Sequence, residues 1–514
     1  MTLSIRKSSK GRVLHATGAH PPGARLATYT NPILAMPTAS SRHAACAWCL
    51  RNDRPVTACT GCRASSYCSK VCQRAAWKES HKLECAVLAN VPSGRELPTP
   101  VRALLRVVVR KDAWGAVLAL VGNEGSFREE RGRWEDLRLQ GGMVRQLLGK
   151  DPAWVGGGDV VEKYAVVMCK LLTNMFNVHD PDFGLDAVFL HPGLAMANHS
   201  CVPSASAHIH GRTAVLVSER DIAEGDEVTI SYTDTSYPLA QRKQDLAQYH
   251  FECTCPRCAD DLTPYGAAAL HPLPELNAFS LARDPFPTGP TRGTQLQAKI
   301  HDSLAALPSE PTLSNLRQKY EICEPLVKSG QWASLVPFLN DCLNYYLPDS
   351  PAEALVIAAL SAARAHPVSH PPFSPYRLKG ALALVRALSY ATADQSAYKA
   401  RIQDIAGRVG GEGVGVDLLR ELDPIAMARM VLFMVAHYLP ATQEADWPLA
   451  MQARQAVEEI KGYPWGGDGA KEGMERWEKG ERDEVWMGVW RRMVSLVDGF
   501  AELGARLVIA DFGE

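Results

Sequence analysis

The stretch that decides the reading of this chain opens with Asn198-His199-Ser200-Cys201-Val202-Pro203 and continues to Ser231-Tyr232-Thr233-Asp234. It closes with Tyr249-His250-Phe251-Glu252-Cys253-Thr254-Cys255-Pro256-Arg257-Cys258. The tail spaces three cysteines as C-x-C-x-x-C. A structural zinc takes four nitrogen or sulfur ligands in a tetrahedron, so Cys253, Cys255 and Cys258 need a fourth partner. Cys201 is the nearest upstream thiol without an assignment. If it completes the set, the metal folds the tail over Asn198 and His199 and brings Tyr249 and Phe251 beside Tyr232. Between the two ends, Thr213 to Ser218 alternates like a strand, Ala223-Glu224-Gly225-Asp226 turns, and Val228 to Tyr232 alternates again.

Working outward, a denser ligand run lies upstream: Cys46, Cys49, Cys59, Cys62, Cys68, Cys72, His81 and Cys85. Eight soft or borderline ligands in so short a segment make two complete tetrahedral sites. The segment has little apolar core, so metal binding supplies most of its folding energy.

The chain has 514 residues, too many for one core, and two to four units are expected. Lys plus Arg number 55 against 56 for Asp plus Glu, a formal charge of -1, which does not indicate a nucleic-acid protein held by bulk charge. Apolar residues make up 46% of the chain, enough for packed domains. The 14 cysteines are grouped in short C-x-x-C and C-x-C units without a secretory leader, which reads as thiolate ligands in a reducing compartment. The first 52 residues contain no Asp or Glu, a faint transit-peptide pattern set aside because the same residues have another use. Pro424 to Leu439 is the most apolar run. Arg429 and His437 interrupt it, so it is expected to be a buried helix, and no membrane association is expected.

Lys10-Gly11-Arg12-Val13-Leu14, the Pro21-Pro22-Gly23 turn and the apolar stretch to Pro37 read as two short strands around a loop. From about Ala86 to Gly158 the pattern is helical, with Val101, Leu104, Leu105, Val108 and Val109 at three- and four-residue spacing and a similar run from Leu137 to Leu148. The charges from Arg128 to Arg133 read as solvated surface. Val161 to Leu172 is an apolar helix ending in Asn174-Met175-Phe176-Asn177, and Phe189 to Met196 leads into Asn198. After Asp260, proline-rich loops separate helical stretches with no convincing 34-residue repeat. Gly462 to Gly469 reads as flexible, and the segment holding Trp477, Trp486 and Trp490 reads as a closing helix whose indoles pack on the body.

The Asn-His-Ser-Cys-x-Pro run, the Ser-Tyr-x-Asp run and the terminal cysteines resemble the SET-domain lysine methyltransferases. Lys10 to Leu14 is similar to that family's opening K-G-x-G-L motif, with Val13 where the second glycine normally stands. The cysteine-rich run, with Tyr67-Cys68-Ser69-Lys70-Val71-Cys72-Gln73 and Trp77, resembles the MYND zinc finger. Together they point to the SET and MYND domain-containing (SMYD-like) protein-lysine methyltransferases.

The resemblance implies an α+β fold: a SET β-fold, with a pseudoknot of short strands, interrupted by a MYND finger and a helical insert and followed by a mostly α-helical region. It divides the chain into 1–45 (first part of SET), 46–85 (finger), 86–160 (insert), 161–240 (core SET), 241–260 (post-SET zinc segment) and 261–514 (helical region). It implies interleaved finger sites, Cys46, Cys49, Cys68 and Cys72 on one zinc and Cys59, Cys62, His81 and Cys85 on the other, so three structural zincs in all. It assigns Asn198, His199 and Asn174 to S-adenosylmethionine, Phe251 to a stack near its adenine, and Lys10 and Arg12 to its carboxylate end. Tyr232, Phe176 and Tyr249 would line the channel for a substrate lysine. A protein substrate, a proline-rich peptide partner at the finger, a monomeric state and a cytoplasmic and nuclear location complete the expectation.

Two departures favour a rival reading, a catalytically weak scaffold that recruits partners in transcriptional control. Val13 cannot adopt positive φ cheaply and adds bulk to the cofactor loop, and Ser204 stands where the family usually has Asn. A RING-like ubiquitin ligase also interleaves zinc, but the Cys68-x3-Cys72 and His81-x3-Cys85 spacings suit MYND better.

Overall fold

Gly11–Ala16 (β2) pairs antiparallel with Leu3–Ser8 (β1), placing Arg6 opposite Val13. In this computed structural model the described residues are 2–8, 11–92, 95–180, 185–270, 281, 295–308, 310–370, 374–390, 395–411, 423–463, 471–472, 475–476 and 484–513. The N-terminal stretch holds more strands than the two expected. Beyond β1 and β2, Arg25–Tyr29 (β3) and Leu34–Pro37 (β4) are separate strands, because the chain bends at Asn31, whose φ is 57°, and enters another sheet.

The sheets are small. Phe176–Asp180 (β7) and Leu185–Leu190 (β8) pair antiparallel, and β8 also pairs with β4. Thr213–Ser218 (β11) lies between β3 and Ala205–His210 (β10), which forms a sheet edge. Asn198–His199 (β9) runs parallel to Thr229–Ile230 (β12). The strand expected at Val228 to Tyr232 is only two residues long. Its ladder stops because the Tyr232 N–H donates to the His199 side chain and the Ser231 hydroxyl to the Thr233 carbonyl.

Between β4 and β7 come the finger and the helical insert. The finger holds Thr57–Ala58 (β5), Ser66–Tyr67 (β6), Lys70–Ala76 (α1), a π-turn at Trp77–His81, and Lys82–Ala89 (α2). The insert follows as Thr99–Val108 (α3), Lys111–Leu118 (α4), Glu124–Glu129 (α5), Arg131–Leu148 (α6) and Val160–Asn174 (α7). On α3, Val101, Leu104, Leu105 and Val108 are buried, but so is every other residue from Val101 to Val108, Arg102 and Arg106 included, so this helix is enclosed all round and not on one face as an amphipathic pattern would have it. On α6 the stripe is narrower than the sequence suggests, with Leu137 and Val144 buried but Leu139 and Met143 exposed. Arg128 and Arg133 do more than meet water: their guanidiniums lie 4.2 Å over Trp134 and 4.5 Å over Phe127, close enough for cation–π attraction.

After Leu239–Ala247 (α8) and Pro256–Ala259 (α9) the described chain is helical. The closing helix Glu484–Phe512 packs along Pro351–Leu360. Gly504 permits that approach, since an added Cβ would sit 2.2 Å from the Val356 carbonyl oxygen. Trp490 is buried there as expected. Trp477 and residues 464–469 lie outside the described residues, as does the side chain of Trp486. The helix Pro424–Thr442 is long and apolar enough to cross a membrane, yet most of it is packed inside the protein. Its Arg429 donates to the carbonyls of Ile460 at 2.9 Å and Tyr463 at 2.6 Å.

Two apolar cores meet at β11. Ala214 and Leu216 belong to the core of the sheets and insert, whereas Val215 and Val217 belong to the core of the C-terminal helices. The Arg25 guanidinium reinforces the junction, donating to the Pro440 carbonyl at 2.8 Å and to Glu444 at 2.5 Å.

Candidate active site and metal centres

Three sets of four ligand atoms converge in the described residues: Cys46, Cys49, Cys68 and Cys72; Cys59, Cys62, His81 and Cys85; and Cys201, Cys253, Cys255 and Cys258. With zinc–sulfur bonds of about 2.3 Å, a tetrahedron has sulfur–sulfur edges of about 3.8 Å. The Cys49–Cys68, Cys68–Cys72 and Cys59–Cys85 edges are 3.7, 3.6 and 3.8 Å, and Cys201–Cys258 is 3.4 Å. His81 directs Nε2 at its set, 3.4 Å from Cys59 and 3.7 Å from Cys62. The donor sets suit zinc, and the finger pairs interleave as the resemblance implies.

Local sequence builds these cages. Ser69 caps α1 by accepting from the Cys72 N–H at 3.2 Å, which holds Cys72 one helical turn from Cys68. Pro256 at the first position of α9 lets the Cys258 N–H reach the Cys255 carbonyl at 2.9 Å. Four sulfurs so close cannot all ionise without a cation. Hydrogen bonds within the sets therefore push Cys201 and Cys49 far above the ordinary thiol value and hold Cys253 and Cys46 well below it.

The tail set also has two cations that the sequence reading missed. Arg242 and Arg257 are each only 1 % exposed. Arg242 approaches the Cys258 sulfur at 3.8 Å and donates to the Tyr237 carbonyl, while Arg257 donates to the carbonyls of Thr235 and Leu262. A four-thiolate zinc site is dianionic, and these guanidiniums offset that charge. Arg257 stands in plain view between two cysteines, but nothing in the sequence marks it as buried.

With Cys201 held to the tail, the aromatic residues assemble. Tyr232 and Tyr249 have ring centroids 4.9 Å apart, and Phe251 lies 5.8 Å from His199 and 6.3 Å from Tyr232. The Tyr232 hydroxyl donates to the Ala197 carbonyl at 2.7 Å. Burial, with Tyr249 and Glu227 nearby, holds its phenol well above the usual value, so it stays protonated. Phe176, Tyr232 and Tyr249 all line one cleft of about 770 Å³ between β10 and the C-terminal helices.

Asn198 donates to Glu227 at 2.7 Å. Asn174 donates to the carbonyls of Val121 and Lys170, both at 2.7 Å, so what it offers a ligand is its own carbonyl oxygen. Arg12 reaches the Ala119 carbonyl, and Lys10 lies outside the described residues. Phe251 remains 40 % exposed beside His199, an aromatic face on which a flat ring can stack. The insert also contacts this region in a way the sequence did not show. Asn123, left-handed at φ 51°, donates to the Tyr249 carbonyl at 2.8 Å, and Glu130 meets His250 at 3.3 Å.

The two departures noted in the sequence are absorbed by the fold. Val13 is buried in a regular strand, and the positive φ of 98° falls at Gly11 instead, so Val13 neither strains nor crowds a loop. The Ser204 hydroxyl accepts from the Thr229 N–H at 2.9 Å and anchors β12.

The family model described as "zf-MYND: MYND finger" matches residues 46–85. The chain is 31% identical over 220 residues to "SET domain and MYND-type zinc finger protein 6" of Schizosaccharomyces pombe, covering 42% of this chain and 44% of that one. It is 29% identical over 262 residues to "Histone-lysine N-methyltransferase SMYD3" of Homo sapiens, covering 49% and 60%. Residues 46–85 are a MYND finger, and the chain is similar to SET and MYND domain proteins. A further relative, "Histone-lysine N-methyltransferase ASHR1" of Arabidopsis thaliana, is 26% identical over 272 residues, covering 50% of this chain and 54% of the relative. The chain thus spans about half the length of the curated relatives it matches. With its MYND finger, its small sheets and its C-terminal helices, the chain has the expected α+β architecture.

Proposed function

We propose that this protein transfers a methyl group from S-adenosylmethionine to the ε-amine of a lysine in a protein substrate. The observation that carries the reading is the convergence of Tyr232, Tyr249 and Phe176 on one cleft, next to Asn198 and His199 and under a tail held at Cys201. The names of several relatives describe lysine methyltransferases, which supports the same class.

The residues suit the cofactor. Phe251 presents an open ring face to adenine, and Asn174 presents a carbonyl oxygen to an ammonium. Asn198 and His199 belong to the same wall, with Arg12 nearer the insert. When bound, S-adenosylmethionine supplies an electrophilic methyl carbon on a positively charged sulfur.

The work of this chain's residues is to prepare the amine. Unperturbed lysine has a pKa of about 10.4, and an ammonium has no lone pair to attack with. An aromatic channel of Phe176, Tyr232 and Tyr249 desolvates the side chain and favours its neutral form. The Tyr232 ring and the Ala197 carbonyl fix where the nitrogen sits, an orientation effect. The part of this chain would be to hold the neutral amine in line with the methyl group of bound S-adenosylmethionine, the surplus proton on nitrogen leaving to water. A zinc held by Cys201, Cys253, Cys255 and Cys258 would have four thiolate ligands and would serve to pin the tail.

The finger would recruit a protein partner with a proline-rich segment, and a monomer acting in nucleus and cytoplasm accords with this reading. Calorimetric titration with S-adenosylmethionine, followed by mass spectrometry of a cell lysate incubated with labelled cofactor, tests it. Heat of binding and label on lysine are expected. Neither heat nor label would end the enzyme reading.

A further inference from the structure

The wall of the cleft carries a carboxylate that the proposed transfer does not use. Glu219 follows β11 directly, and its backbone N–H donates to the Ser204 carbonyl at 2.8 Å, so it flanks the start of β10. It lines the same cleft as Tyr232. Ser206 and His208, two residues apart on β10, are joined by a 2.9 Å bond from the Ser206 hydroxyl oxygen to His208 Nε2. The Ser206 hydroxyl in turn bonds the Glu219 carboxyl. The result is a chain of hydrogen bonds, His208 to Ser206 to Glu219, that holds one carboxyl in the wall of the cleft.

We propose that Glu219, oriented by Ser206 and His208, is a specificity site that takes the cationic side chain of an Arg or Lys flanking the target lysine. The inference rests on the methyl-transfer reading for the identity of the cleft's occupant. Three features support it. The other carboxylates on the walls are already engaged: Asp245 accepts from Thr233 at 2.6 Å and Gln241 at 2.9 Å, and Asp234 from the Ser236 N–H at 2.7 Å. Burial also raises Glu219 to about 7, against the smaller opposing influence of Ser206 and Arg220, so its charge is poorly compensated by the protein. A peptide cation would supply that compensation. Finally, the Glu219 N–H bonds Ser204, Ser204 bonds Thr229, and Tyr232 lies three residues beyond Thr229, so the carboxylate and the transfer site are tied together through β12 on the wall of one cleft.

The other charged or titratable groups facing the cleft are Lys379, His210, His370 and His208, besides Asp234, Asp245 and the tyrosines Tyr232, Tyr237, Tyr249 and Tyr376. His208 and His370 are lowered by burial to about 4, so both are neutral when Glu219 titrates. His210 stacks against Trp447 at 5.4 Å and closes the cleft at the far end of β10.

The test uses the full chain and lysine-centred peptides carrying either Arg or its neutral isostere citrulline at each flanking position. Transfer is compared between the two, and binding of the same fluorescein-labelled peptides is followed by anisotropy without cofactor. Arg at one position should be preferred about tenfold, the scale of a hydrogen bond to a charged group. That preference should grow from about pH 6 to about pH 8 as the carboxyl ionises. It should vanish in Glu219→Gln and persist in Glu219→Asp, which keeps the charge and controls for folding. Transfer with no Arg preference, or with a preference that survives Glu219→Gln, overturns the inference and leaves the enzyme reading standing. If no peptide and no lysate protein is methylated, anisotropy decides alone. An Arg preference in binding that Glu219→Gln removes supports the site, and equal binding of Arg and citrulline peptides overturns it.

Discussion

The backbone N–H of Tyr232 donates to Nδ1 of His199 at 2.9 Å. Because Nδ1 accepts, the ring proton sits on Nε2, which lies 3.2 Å from the Cys201 sulfur. One imidazole therefore joins a metal ligand to the tyrosine of the proposed transfer site. Its orientation depends on the sulfur staying where the metal set holds it.

Replacing Cys201 by Ser should lower the zinc content from three ions to two, with both finger sites retained. The lid and the His199 orientation go with that ion, so affinity for S-adenosylmethionine should fall about tenfold or more. Elemental analysis with calorimetry checks both numbers, and full cofactor affinity with two zincs would sever the link.

In Tyr232→Phe the aromatic wall survives and one hydrogen bond to Ala197 is lost, costing about 1 kcal/mol of stability. Transfer should nevertheless fall by about a hundredfold or more, because the orienting hydroxyl is gone. Labelled-cofactor incorporation and a thermal melt, run side by side, distinguish the two effects. Unchanged labelling would remove Tyr232 from its role.

Arg257→Met leaves the dianionic tail site without one of its neighbouring cations and strips donors from the Thr235 and Leu262 carbonyls. A loss of about 3 kcal/mol in unfolding free energy is expected, as for a broken buried charge network. The third zinc should also leave at a lower chelator concentration than in the parent chain. A chelator titration with the same release profile would count against the electrostatic role given to this arginine.

Glu84 on α2 is fully buried and paired with Arg106 on α3 at 2.9 Å. Burial pushes its carboxyl up, but the Arg106 guanidinium more than offsets this and holds it below the usual range. A depressed carboxyl stabilises the fold above its unfolded value of about 4.3, and that contribution is lost as pH falls further through the folded value. Urea midpoints measured downward from pH 6 should therefore fall more steeply for the parent than for a Glu84→Gln, Arg106→Met double variant. Parallel curves would show that the pair contributes nothing pH-dependent.

The ligand residues of the metal centres were legible as clustered Cys and His, whereas the interleaved sorting of the finger ligands into two sites came from the resemblance to MYND fingers, because spacing alone leaves several pairings open. The sequence also brought Tyr249 and Phe251 beside Tyr232, since those two hang on the tail that the Cys201 set folds back over the Asn198 run. It did worse where burial decides. Arg242 and Arg257 look like ordinary surface cations until the fold encloses them, and Leu139 and Met143 look like core until α6 turns them outward. The contact from Asn123 to Tyr249 joins residues 126 apart in sequence, and no local pattern announces a bond across that distance. Glu219 was equally silent: at the end of an alternating strand it reads as a solvent-facing terminus, and only the helices packed opposite make it a cleft residue.

β11 has a mechanical consequence. Val215 and Val217 key into the helical half of the molecule, while Ala214 and Leu216, on the same strand, key into the other. Prising the halves apart would withdraw both valines into water at about 1.5–3 kcal/mol each, before Arg25 lets go of the helix end. The groove therefore has a fixed gauge rather than a jaw. If the methyl-transfer reading holds, a target would have to arrive already threadable, as a loose tail or an uncoiled loop, and a lysine on a rigid helix would be refused at the entrance.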